Sequence, residues 1–175
     1  MSKEPMTLDR ALEAMVKSYC ATKRELCRGK GGPVDLFVQM HVVRDDGTQG
    51  IGIVESRELI PECYEKLRVR EFGGLHVRQP VRYVGVLADT LYRPAGPDDD
   101  PDTMRGQLTQ EREEGRMDAR DALSVVVYAV HDDETRSRIL PYHYDDRGMP
   151  RFEVPIEHDA LGGAIVDILR EHCRA

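Results

Sequence analysis

Apolar and polar positions follow two different rhythms along this chain, and the changes of rhythm divide it. Leu8, Ala11, Leu12, Met15, Val16 and Tyr19 recur at helical spacing, which predicts an amphipathic helix opening after Thr7. Asp9 falls in its first turn, where the helix dipole favours negative charge. Cys20 and Cys27 lie near the same stripe, and Gly29, Gly31, Gly32 and Pro33 end it. From Val34 the period drops to two. Val34, Leu36, Val38, Met40 and Val42 alternate with Asp35, Phe37, Gln39 and His41, which predicts a strand whose core face is the first set. Asp45-Asp46-Gly47 is a hairpin signal, because glycine accepts positive φ. In the return strand, residues 49–55, Gly50 and Gly52 oppose Ile51 and Ile53. Two small residues on one face admit a helix or a ligand at close range, or mark a bulge.

Ser56 and Pro61 suit the start of a second helix with Ile60, Tyr64 and Leu67 inward, closed by Gly73-Gly74. Residues 81–92 predict a strand whose apolar middle belongs inside a sheet. Residues 94–120 change character: Pro94 to Asp102 is rich in Pro and Asp, and residues 107–120 are almost wholly polar. That stretch is expected to be a flexible acidic excursion, ordered by a partner if at all. A β-meander follows. Its first run, Leu123 to Val130, is β-branched and apolar enough for burial on both faces, and His131–Glu134 and Asp145–Gly148 supply its turns. A last helix is expected from about Asp159, with Leu161, Ile165, Ile168, Leu169 and His172 inward.

The expected architecture is one α+β domain over residues 1–175. It has a mainly antiparallel sheet of five to six strands, with N-terminal, middle and C-terminal helices collected on one face. The order of segments resembles the roadblock/longin-like arrangement, a five-stranded sheet that carries helices and often dimerises. That resemblance implies self-association.

Charge narrows the classes of partner. Net charge is −7, carried by the second half: residues 1–93 sum to +2 and residues 94–175 to −9. Nucleic-acid binding needs clustered Lys and Arg, so this balance argues against it. No run approaches a membrane span, and no apolar signal segment follows Met1-Ser2-Lys3-Glu4-Pro5, so a cytoplasmic protein is expected. Cys20, Cys27, Cys63 and Cys173 form no Cys-x-x-Cys pair and are expected to stay reduced.

Three groups of residues invite chemistry. His41, His131 and His143, with Asp89 or Glu55 near, have the donor types of a catalytic zinc site, though not its usual spacing. The Asp-Asp pairs at 45–46, 132–133 and 145–146 suit a hard cation, but each lies where a turn is needed. Arg28-Gly29-Lys30-Gly31-Gly32 is better read as helix termination than as a phosphate loop. Cys63 as a nucleophile would need a base such as His76, and Lys66, Arg68, Arg70, Arg78 and Arg82 form a local basic stretch. No catalytic frame emerges and no cofactor is called for. The expected function is a non-enzymatic protein-interaction or regulatory accessory module, binding a protein or itself. Abundant Asp and Arg suit a GC-rich phage or mobile element. The alternative is a metal-dependent hydrolase with a His/Asp site at the sheet edge.

Overall fold

The computed structural model describes residues 6–93, 100, 103–115, 120–157 and 163–174. Its centre is the valine-rich run. Strand β6 (Arg120–Ala129) is flanked by β5 (Val81–Tyr92) and β7 (Glu134–Tyr144), both antiparallel to it. On β5 sits β1 (Val38–Arg44), and on β1 sits β2 (Gln49–Val54). On the far side β7 pairs with the short strands β8 (Pro150–Phe152) and β9 (Ile156–Glu157). The main sheet thus runs β2-β1-β5-β6-β7-β8, with β9 also on β7, seven strands against the five to six expected.

Helix α1 (Leu8–Lys30) forms as its stripe predicts. Thr7 Oγ1 accepts from the Arg10 N–H, and Gly31 closes the helix with φ 69°, a left-handed conformation that glycine adopts without a Cβ penalty. Its Leu12, Met15 and Tyr19 pack with Tyr83, Leu87, Leu123, Val125, Val127 and Leu140 on one face of the sheet. Helices α2 (Ile60–Leu67) and α4 (Gly163–His172) take the other face, where Ile60, Tyr64 and Leu169 meet Met40, Val42, Val84, Val86, Val126 and Tyr128. The expectation of helices on one face is therefore corrected. A strand apolar on both faces needs cover on both, and β6 receives it: Val125 and Val127 are fully buried under α1, while Val126 and Tyr128 are 4% exposed under α4.

Other departures are local. The first strand begins at Val38 and not at Val34. The second helix ends at Leu67, and Gly73-Gly74 is instead the turn of a separate hairpin, β3 (Val69–Phe72) with β4 (Leu75–Arg78). Both glycines have positive φ, which a two-residue hairpin turn requires. Within the expected excursion, Met104–Glu113 forms helix α3, held to β5 by a two-pronged ion pair from Arg93 to Glu111 at 2.8 and 3.0 Å. His172, expected inside, is exposed, and Cys173 is buried in its place. Asp159, Leu161, the residues before Met6 and most of the Pro/Asp-rich break lie outside the described residues.

The sheet admits its helices through missing side chains. A Cβ at Gly85 would collide with the Met15 sulfur of α1. Gly85→Val should therefore destabilise the protein by about 1–3 kcal/mol through overpacking. Met15→Ala in the same chain should recover part of that loss, as read by urea unfolding.

Candidate functional sites at the Asp89 cleft and the open edge

Asp89, near the end of β5, is the hub of a buried polar network. Its Oδ2 accepts from Lys23 Nζ at 2.7 Å and from the Leu36 N–H at 2.9 Å, and its Oδ1 accepts from the Tyr142 hydroxyl at 3.1 Å. Lys23 is fully buried. Its ammonium also donates to the Val34 carbonyl at 2.9 Å and lies 4.7 Å from the Tyr142 ring centroid. Burial alone would push the Lys23 pKa down, but Asp89 beside it reverses the sign and the pKa is raised. Burial, with the Asp89 charge second, holds the Tyr142 and Tyr19 hydroxyls well above the ordinary tyrosine range. Tyr19 lies beside the same carboxylate, and its hydroxyl is outside hydrogen-bond geometry to the described residues. The network ties α1, residues 34–36, β5 and β7 together. Sequence reasoning assigned position 23 no role, since a lysine on an apolar stripe reads as a solvated rim.

Outside the network opens a cleft of about 610 Å³, with Asp35, Asp89, Asp121 and Tyr142 on one wall and Leu108 and Arg112 of α3 on the other. Burial raises the Asp121 pKa, and Arg112, 2.9 Å away, opposes that rise. Two carboxylates of this wall are thus paired with the protein's own cations, Asp89 with Lys23 and Asp121 with Arg112.

The three histidines do not meet. His41 is 3% exposed, and its Nε2 lies 2.9 Å from Gln39 Oε1. His131 precedes β7 and sits 3.2 Å from Asp45, whereas His143 near the other end of β7 has Glu153 as neighbour at 3.6 Å. At about 3.3 Å per residue, β7 from Glu134 to His143 spans roughly 30 Å, and His131 lies in the turn before its Glu134 end. His41 pairs with Gly85, which leads through Val127 to Arg136, so it lies three strands from β7. The one-site arrangement of His41, His131 and His143 is therefore not formed. Among the described residues no three His, Cys, Asp or Glu side chains converge on a point that would hold a metal ion.

The aspartate pairs act as turn residues. Asp46 accepts from the Thr48 N–H at 2.8 Å, and Asp145 from the N–H groups of Arg147 and Met149 at 3.0 and 2.9 Å. Asp133 takes a positive φ of 51° in the β6–β7 turn. The basic stretch is also internally paired: Lys66 with Glu62, Arg68 and Arg78 with Glu65, Arg70 with Asp46, and Arg82 with Asp45. Cys63 packs against Gly52, where a Cβ would come within 2.7 Å of its sulfur.

The remaining feature is β2. It is the last strand on its side, and among the described residues no strand pairs with its outer edge, where the Cys63 thiol makes a long contact of 4.0 Å to the Ile53 carbonyl. Gly50 and Gly52 face α2, with Leu67 near both. A helix, and not a ligand or a bulge, explains the two glycines. Ile51 and Ile53 consequently fall on the α1 face beyond the reach of α1, at 51% and 62% exposure.

No family model, curated protein or solved structure matches the chain. The fold places it among α+β proteins with one curled, mainly antiparallel sheet. Among the described residues no helix is long and apolar enough to cross a membrane.

Two predictions follow from the buried groups. Lys23→Met should cost about 3–5 kcal/mol, because it strands the Asp89 carboxylate, and the double variant Lys23→Met/Asp89→Leu should be more stable than Lys23→Met alone. Chemical denaturation of the set checks this. Burial depresses the His41 pKa to about 4 from an ordinary 6.5. The unfolded chain therefore binds a proton that the folded chain refuses, and stability falls as pH drops from 6.5 towards 4, by up to about 3 kcal/mol. His41→Gln should flatten that slope in unfolding curves taken across the window.

Proposed function

We propose that the protein is a non-enzymatic interaction module that works as a homodimer, two copies joining their β2 edges into one continuous sheet. The observation that carries this reading is the chemistry of the edge. Exposed sheet edges are ordinarily blunted by charge, proline or a bulge. Residues 49–54, Gln-Gly-Ile-Gly-Ile-Val, contain no charge and no proline, and β2 pairs with β1 without a register shift.

The hairpin fixes which backbone groups face outward. The Arg44 N–H donates to the Thr48 carbonyl at 2.8 Å, so even-numbered residues of β2 turn their N–H and C=O groups towards β1. Gln49, Ile51 and Ile53 turn theirs to the free edge. A second copy related by a two-fold axis at Gly52 sets Ile51 opposite the partner's Ile53, and both are hydrogen-bonding positions. One self-complementary register thus satisfies the open backbone groups and covers the exposed isoleucines together. The metal-dependent hydrolase gains no comparable support, since its histidines are held apart.

Light scattering or sedimentation equilibrium tests the reading. The wild-type chain should run as a dimer and Ile51→Lys as a folded monomer, since position 51 contributes little to the protomer core. A monomeric wild type, or undiminished association of Ile51→Lys, would overturn it.

A further inference from the structure

Resting on that reading, we infer that α2 is the second half of the dimer interface: it packs antiparallel against α2 of the other copy, with the two Cys63 thiols meeting at the two-fold axis. Three independent features of the protomer lead there.

The first is spacing. Helix α2 contacts β1 and β2 and lies over that pair. Across a β2–β2 junction, the middle of one β1–β2 pair is two strand spacings from the middle of the other, about 9.6 Å. Two helices pack at about 8–10 Å. A two-fold axis normal to the sheet makes any two such helices antiparallel. The sheet extension thus sets α2 and its copy at packing distance without adjustment.

The second is the flank that α2 presents. Tyr64 faces inward, where α4 lies, and α4 is on the β6 side of α2. At 100° per residue, Cys63 and Lys66 share the opposite flank, towards the open edge, and Leu59 ends the short 3-10 turn (Arg57–Leu59) that leads into the helix. Leu59 is 40% exposed although it is a large apolar side chain. The flank is also charge-complementary to itself when reversed. Glu62 and Lys66 are exposed and lie 2.6 Å apart within the helix, and an antiparallel copy sets each of them beside its opposite charge on the other helix as well.

The third is the glycine at the axis. In the register centred on Gly52, the two Gly52 residues form a non-hydrogen-bonded pair with Cα atoms about 4.5 Å apart. Neither has a side chain, and the space above each is filled by the Cys63 sulfur. The two sulfurs then lie within disulfide reach, with helix backbones close enough for the usual Cα separation of about 4.4–6.8 Å.

The test uses the whole protein, with diamide as oxidant at mildly alkaline pH. Two thiols lose two protons and two electrons to form the disulfide, and diamide takes them up to become the hydrazine. Cys20, Cys27 and Cys173 are buried and Cys63 is partly accessible. The expected result is a covalent dimer on a non-reducing gel, reversed by dithiothreitol and absent in Cys63→Ser, while the reduced wild type still dimerises by light scattering. Leu59→Asp should weaken dimerisation at least about ten-fold with the protomer still folded. A wild-type dimer that gives no Cys63 linkage overturns the α2 contact and leaves the β2 edge standing. A wild-type monomer overturns both.

Discussion

Everything in this structure depends on closing both faces of β6 against water. Leu123, Val125, Val127 and Ala129 point into one core, and Val126, Tyr128 and Val130 into the other. One helix covers one face only, so the chain must place its helices on opposite sides. The N-terminal helix takes the first core, and the middle and C-terminal helices share the second. Side chains of this size contribute about 1.5–3 kcal/mol each on full burial. A change of face by any helix would expose several of them at once.

The same demand explains Lys23, a charged side chain that the interior holds with no exposure. Helix α1 crosses the end of β5, and there its stripe brings Lys23 where an apolar side chain would leave Asp89 unmatched. The pair is satisfied from every side, by backbone, carboxylate and two aromatic rings. Breaking such a pair costs far more than the pair contributes over well-packed apolar groups. Its role is to fix where the helix sits, and the cleft outside it follows from that placement.

On the opposite side of the sheet the glycines of β2 let α2 descend onto the edge strand. The consequence is an asymmetric strand: backbone packed tightly under a helix on one face, isoleucines left in water on the other. A monomer gains nothing from that arrangement. An edge joined to another edge gains twice, in backbone hydrogen bonds and in covered apolar area. In the proposed dimer the unprotected edge, the exposed isoleucines and Leu59 beside α2 have one common explanation.

Periodicity and turn chemistry by themselves determined most elements. The Thr7 cap, the Gly31 terminus, the Asp45-Asp46-Gly47 hairpin and the strand over Val81–Tyr92 could be read directly, because each rests on interactions within a few residues. The β3–β4 hairpin was missed because the Gly73-Gly74 turn also suits the end of a helix. Only the tertiary structure decided the rest. Which face each helix covers, that the length of β7 separates His131 from His143, that Lys23 meets Asp89 across 66 residues, and that β2 is an edge all follow from pairing distant segments. Local spacing fixes the direction of a side chain relative to its own backbone. What stands opposite it is set by the packing of the whole sheet.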